Sequence, residues 1–440
     1  MNFLIICTYY PPDSEIAAIR PYMLAKYLSL SGNSVTVLRS GMINGKPDDL
    51  FKTPEGVRVI SFLGDDCDAA RFERGEYRYT GPEAKFAMIP RSVKRVLSPL
   101  YHAVTEPLDA WKRIRRAKEY LALEKAAIDR LEGERFDIVF STSGEFENIF
   151  AGEYAARRFG AKWIQDFRDP VVSEYKSSPV WNCYARRIQR RAIESADLCT
   201  AVSESISRKW RQAYHKDIVT LYNGYEPDEA ASVSVPSAER VLRICYTGLI
   251  GHKYRIEALN ELALCLGDLI RQKRIDPDGI RFVYAGVSSH SVREVFGRCG
   301  IGDIVEDHGP LTRSEAKELQ NGCDLFLVLS WNTKRSQGVL TGKFYEGIRA
   351  KKPILAVLAG DEPDSELKQL NGKYGYGFCY EKCERDPARL ADHIAGAYRE
   401  KTGTGRLSYS PSEALATAFR YDKITERLLE LSEQLAGRHS

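Results

Sequence analysis

Apolar residues along this chain fall into short strand-length runs, and the segments between the runs carry helical spacing. "NFLIICTYY" reads as a buried strand, and Ile19, Met23, Leu24, Tyr27 and Leu28 then mark a helix face. The strands "SVTVLRS", "VRVISFL", "FDIVFSTS", "AKWIQDF", "DLCTAVS" and "IVTLYNG" follow, with helical patterns near residues 149–159 and 181–195 and again after the sixth run. Runs that are apolar throughout, without alternation, suit parallel sheets covered by helices on both faces.

The rhythm breaks at "EPDEAASVSVPSAER", residues 226–240, which is rich in Pro, Ala, Ser and acid and reads as a linker. It then restarts with "LRICYTG", "IRFVYAG", "IVEDHG", "DLFLVLS", "PILAVLA" and "YGFCYE". Helices are expected at 256–272, 291–298, 313–321 and 343–350, with one or two amphipathic helices over 412–435. The pattern predicts an α/β chain with two Rossmann-like domains of mostly parallel sheet. They would face each other across a cleft at the carboxyl ends of their strands, where such sheets bind ligands. The expected division is residues 1–226, residues 241–405, and a helical tail over 406–440 that packs back on the first domain.

Composition narrows the class. The 440 residues are 43% hydrophobic and 28% charged, ordinary for a globular chain. A net charge of +4 is too mild to imply nucleic acid, and none is expected as a partner. Ten scattered cysteines without a CxxC pair point to free thiols in a reducing compartment. No run approaches the ~20 apolar residues of a membrane span, so a cytoplasmic location is expected. Residues 85–118 are the local exception, with nine Lys or Arg among Phe86, Met88, Leu100, Tyr101 and Trp111. Such a stretch can lie on an anionic membrane surface, which would place the protein at the inner face of the cell membrane. It reads equally as domain helices with a solvated basic face.

The candidate chemistry gathers in "SQGVLTGKFYEGIRAKKPILAVLAG", residues 336–360. The helix N-terminus in this stretch offers unpaired amides and a positive dipole end to a phosphate. Gly342 admits a close ligand, Lys343 adds a charge, and Glu346 can accept from paired hydroxyls such as those of a ribose. Phosphate beside ribose would mean a nucleotide. The plainer reading is a loop glycine, a solvated lysine and an acid favoured in a first turn.

The stretch resembles the donor-site signature of the GT-B glycosyltransferases, specifically retaining family 4. "CYTGLIGHKYRIEAL", "FVYAG", "VEDHGPLTRSEAKELQNGCDLFLVLS", "LYNGYEPD" and "FRYDKITERLLEL" follow that family's order. The resemblance implies a ribose contact at Glu346 and diphosphate contacts at Thr341, Gly342 and Lys343. It further implies phosphate contacts at Gly248 and at Lys253 or Arg255, and a loop ending at Leu311 that edges the base. "KWIQDFRDPV" resembles an active-site strand end, which assigns Asp169 to the reacting sugar or acceptor hydroxyl and Arg168 to nearby charge. The alternative there is an Arg–Asp pair that fixes a loop. Two positions depart from the family: Gly338 stands where a first Glu touches the donor sugar, and Ser14, Glu15 and Ile16 stand near a usual Gly-Gly pair. Arg20 becomes the expected phosphate anchor in that region.

The function implied is transfer of a sugar, with retention, from a nucleotide-diphospho-sugar to a glycan or lipid-linked hydroxyl in surface polysaccharide or glycolipid assembly. A UDP-sugar is the first expectation and a GDP-sugar the second, with no metal and no permanently bound cofactor. The D-x-D within Asp65–Asp68 reads as a solvated acidic turn. The competing readings are a nucleotide-sugar epimerase of the same architecture and a binding protein with a decayed donor site. No strand leads into G-x-G-x-x-G, which argues against a dinucleotide oxidoreductase.

Overall fold

The computed structural model describes residues 1–13, 16–41, 52–63, 110–111, 114–115, 117–143, 147–171, 179–227 and 239–437. Ser14, Glu15, Asp65–Asp68 and most of 85–118 therefore lie outside the described residues. The chain divides into two compact units. The first holds Met1–Val202, Ser207–Leu221 and the residues from Thr425 on; the second holds Ser203–Ile206 and Tyr222–Ile424.

The first unit is built on a seven-stranded sheet in the order β3-β2-β1-β4-β5-β6-β7. Its strands are β1 (Asn2–Cys7), β2 (Ser34–Arg39), β3 (Val57–Ser61), β4 (Ile138–Ser143), β5 (Lys162–Phe167), β6 (Leu198–Ala201) and β7 (Ile218–Thr220). Helices α1 (Ile19–Leu30), α2 (Glu147–Phe159), α3 (Pro179–Ser195) and α4 (Glu204–Tyr214) follow in chain order. All pairings are parallel, as the unbroken apolar runs require.

The second unit has a six-stranded parallel sheet in the order β10-β9-β8-β11-β12-β13. It comprises β8 (Leu242–Thr247), β9 (Ile280–Ala285), β10 (Val305–Asp307), β11 (Leu325–Trp331), β12 (Ile354–Ala359) and β13 (Gly377–Glu381). Helices α5 (Lys253–Arg271), α6 (Ser289–Arg298), α7 (Arg313–Asn321) and α8 (Gly342–Arg349) alternate with the first strands. Then come α9 (Glu366–Tyr374), α10 (Pro387–Thr404), α11 (Glu413–Ala418) and α12 (Tyr421–Leu435), the last of which runs on into the first unit's residues.

Strand periodicity divides this sheet between two cores. Leu325, Leu327, Leu329 and Trp331 of β11 join one apolar cluster with Leu355 and Val357 of β12. Phe326 and Val328 face the other way and join Ala356 and Leu358. Every residue of β11 and β12 is buried as a result.

Helices α9 and α10 are additions to the sequence reading. Ser365 caps α9 by accepting from the Lys368 amide, and Gly375 ends it in the left-handed region at φ 65°. The signal is hidden because "DEPDSELKQLNGKYGYG" is dominated by turn residues. The parallel β12–β13 pair nevertheless requires a crossover there. For α10, Asp386 caps the start and Pro387 occupies the first turn.

The packing that holds α8 bears on function. Phe344, Tyr345 and Ile348 turn into the second core beside Phe419. The Phe419 ring centroid lies 5.4 Å from Phe344, 5.7 Å from Tyr345, 5.3 Å from Tyr222 and 5.8 Å from Tyr374. Phe419, between α11 and α12, thus braces α8. Phe419→Ala is expected to lower stability by about 3–5 kcal/mol, the usual range for a buried aromatic. Urea unfolding measures this; an unchanged midpoint would show that α8 stands without the brace.

Candidate functional site

The order of the second sheet reverses between β8 and β11, so the loops that leave these strands diverge and open a crevice at the carboxyl edge. The loop after β8 begins at Gly248, whose φ of 114° few other residues adopt. Its amide bonds Ala285 O at 2.7 Å, and its carbonyl accepts from Tyr284 Oη at 3.0 Å. The Gly286 amide reaches Gly309 O at 2.8 Å, and the Ser288 amide donates to Tyr284 Oη at 2.7 Å. The loops after β8, β9 and β10 are therefore stitched into one rim.

Helix α8 starts at this rim. Thr341 is its N-cap with extended backbone, but its side chain does not cap the helix. The Thr341 Oγ1 atom is buried without a hydrogen-bond partner. The first turn thus lacks a side-chain acceptor, and Gly342 leaves its backbone approachable. This positive helix end is suited to an anion.

Lys343 and Glu346 stand one turn apart and meet. Lys343 Nζ donates to both Glu346 oxygens, at 2.7 and 2.6 Å, with the pair partly exposed. A Cβ on Gly248 would lie 3.2 Å from Lys343 Cε and 3.7 Å from Nζ. Gly248, Lys343 and Glu346, separated by almost a hundred residues in sequence, therefore share one spot. Lys343 balances the carboxylate, so the helix end remains as the net attraction for an arriving anion. An anion would compete with Glu346 for the ammonium.

The other expected residues fall around this spot. Arg255 donates to Leu249 O at 3.3 Å, its guanidinium lies 5.8 Å from the Trp331 ring centroid, and its Nε has no partner. It belongs to the same rim. Lys253 is exposed, with its ammonium 4.6 Å from the Tyr254 ring centroid. His252 stacks on Trp331 at 4.3 Å; burial first, then Arg255 and Lys253, hold its imidazole below the ordinary pKa. Leu311 is half-buried in the loop that leads to the capping box of Thr312 and Glu315.

Gly338 is explained by its surroundings. Its φ is +71°, and a Cβ there would lie 2.3 Å from Ser203 Oγ and 3.2 Å from Glu366 Oε2. Glu366, itself buried, accepts from the Glu204 and Ser205 amides at 2.8 and 2.9 Å. The space beside residue 338 is taken first by Ser203 and Ser205 and next by a carboxylate from α9, so a side chain at 338 would have to displace them.

In the first unit Arg20 is drawn inward. Its Nη2 lies 2.7 Å from Asp166 Oδ1 and its Nε 2.9 Å from Oδ2, and Nη2 also donates to Leu221 O. Thr142 and Thr200 donate to the same carboxylate. Arg20 and Asp166 are 2% and 0% exposed, so this charge is committed to an internal pair instead of standing at the surface as a phosphate anchor. Arg168 follows at the end of β5 and donates to Ala17 O at 2.6 Å, which ties β5 to the entry of α1. Asp169 is exposed beside it.

Gln320, Thr247 and Arg349 are neighbours of this spot that the sequence reading lacks. Gln320 donates to Glu346 Oε2 at 2.6 Å and to Thr247 Oγ1 at 2.7 Å. Its distance from Glu346 in sequence gives no periodic cue. Among the described residues no cluster of three or more His, Cys, Asp or Glu is gathered for a metal, and no helix is long and apolar enough to cross a membrane.

The buried pair makes a stability prediction. Burial would raise the Asp166 carboxyl, but Arg20, Thr200 and Thr142 outweigh it and hold the pKa below the usual carboxylate range. Its contribution is thus full above the unfolded carboxylate pKa and is lost as pH falls through the folded one. Arg20→Met strands a buried charge and should cost about 3–5 kcal/mol in urea unfolding at neutral pH. In Asp166→Asn the acid-side loss of stability should shrink. An unaltered acid slope would show that Asp166 does not supply it.

Residues 19–229 match the family profile described as Glycosyltransferase Family 4. No curated protein matches the chain in sequence. Among solved structures, Anabaena Alr3699/HepE in complex with UDP and glucose is similar over 99% of this chain and 100% of its own, at 14% identity and TM-score 0.58. The apo form of the lipopolysaccharide outer core galactosyltransferase WaaB is similar over 98% and 99%, at 13% identity and TM-score 0.57. The apo structure of OtsA is similar over 98% and 99%, at 14% identity and TM-score 0.58. At such identities the likeness carries the fold, and it does so across nearly the whole chain.

Proposed function

We propose that this chain is a GT-B-fold glycosyltransferase of family 4 that transfers a sugar, with retention, from a nucleotide-diphospho-sugar to a hydroxyl; the match of residues 19–229 to the family 4 profile and the likeness in fold support this reading. The observation that carries this reading is the meeting of Gly248, Lys343 and Glu346 at an uncapped helix start on the sheet's switch point. The diphosphate lies on the Thr341–Gly342 amides and draws Lys343, while Glu346 takes the ribose hydroxyls. Arg255 and Lys253 supply further positive charge at the rim.

As the bond from the anomeric carbon to the phosphate oxygen breaks, negative charge grows on the leaving diphosphate. Pre-aligned amides and an ammonium stabilise that charge without reorganising, usually the largest catalytic term. The acceptor oxygen forms the new bond on the same face, and its proton passes to the departing phosphate. Asp169 and Arg168 are assigned to the acceptor hydroxyl and its nearby charge. UDP-sugars are the first donors to test, in keeping with the UDP in the HepE complex; GDP-sugars are the second. The acceptor is assigned to glycans or lipid-linked sugars of surface polysaccharide or glycolipid assembly. Contact with a membrane through 85–118 belongs to the same reading.

Calorimetry without metal tests the donor site. The parent is expected to bind one of UDP, GDP, ADP or CMP. Glu346→Ala should weaken that binding about ten- to a hundredfold, as loss of a charge-assisted hydrogen bond implies. A folded Glu346→Ala variant that binds as tightly as the parent would remove Glu346 from the site. Turnover of the sugar nucleotide without any acceptor would identify an epimerase instead, and no nucleotide binding at all would favour a decayed site.

A further inference from the structure

We propose that Gln320 is a positioning residue that holds Glu346 for the ribose, and that Arg349 fixes which way its amide faces. This rests on the assignment of Glu346 to the ribose. Gln320 lies at the end of α7 and is 3% exposed. Its Nε2 donates to Thr247 Oγ1 at 2.7 Å and to Glu346 Oε2 at 2.6 Å, and its Oε1 accepts from Arg349 Nη2 at 2.6 Å. A primary amide has two N–H donors, and both are used here. Flipping it would set oxygen against the Glu346 carboxylate and N–H against the Arg349 guanidinium. The orientation is therefore decided by charge on both sides.

The arrangement links three elements. Thr247 is the last residue of β8, directly before Gly248, and Arg349 closes α8 one turn after Glu346. Thr247, Gln320 and Arg349 are all buried, whereas Lys343 and Glu346 are partly exposed. A lysine ammonium is a mobile point charge, while the glutamine amide is planar and packed. When a diphosphate draws Lys343 away, Gln320 is the group that keeps one Glu346 oxygen in place. The other oxygen then stays aimed at the hydroxyls. An unanchored carboxylate would lose side-chain entropy on binding and discriminate less.

The test compares UDP with 2′-deoxy-UDP by calorimetry on the full chain, or GDP with 2′-deoxy-GDP if the parent binds GDP. The parent should prefer the ribose form by about tenfold or more. Gln320→Met should bring that ratio towards unity, by weakening UDP more than its 2′-deoxy form. A merely structural role would weaken both ligands alike and keep the ratio, which would overturn the proposal. Circular dichroism checks folding, and Gln320→Asn, too short to bridge Thr247 and Glu346, serves if the methionine variant does not fold. Gln320→Glu sets a second carboxylate beside Glu346, where like charges raise the pKa of the pair, so its preference for UDP should recover as the pH is lowered and one proton restores the bridge; a flat profile would count against the bridge. If the parent shows no preference and Glu346→Ala changes nothing, the ribose assignment fails and the inference falls with it. If Glu346→Ala removes the preference but Gln320→Met does not, only the inference fails.

Discussion

A parallel sheet covered on both faces has no room for polar chemistry except at the ends of its strands. That constraint organises the second unit. β11 and β12 send alternate residues into two separate cores, so neither face can offer a charge to a ligand. Crossover helices begin at the carboxyl ends and bring unpaired amides there. Where the strand order reverses between β8 and β11, the two loops part and the start of α8 becomes reachable. The position of the candidate site follows from topology before any side chain is considered.

Side chains then decide what that place can do. Lys343 and Glu346 neutralise each other across one helical turn, which keeps a partly exposed pair ready without a ligand. In the first unit a stronger pair plays the opposite part. Arg20 and Asp166 are fully enclosed, with two threonines completing the carboxylate's bonds. Breaking either partner is costly because the survivor cannot reach water. One pair is partly exposed and the other is enclosed.

The family 4 profile covers residues 19–229, while the Gly248, Lys343 and Glu346 constellation lies in the other half of the chain. Gly338 shows how far the chain departs from its resemblance. The space beside it holds the Glu366 carboxylate, already engaged with two backbone amides.

The sequence by itself determined the alternation of strands and helices, because burial on both faces leaves apolar runs that no loop would carry. It also determined the start of α8 and the roles open to Lys343 and Glu346, since helix starts and charge spacing are local properties. It did not show α9, whose cap signal is buried among turn residues, nor that Arg20 would turn inward, since an arginine reads alike whether it meets a phosphate or Asp166. Only the tertiary structure could bring Gly248 against Lys343, fill the space at Gly338 from α9, and set Gln320 between Thr247, Glu346 and Arg349. Those contacts join residues far apart in the chain, and their energies depend on distances and burial that periodicity does not encode.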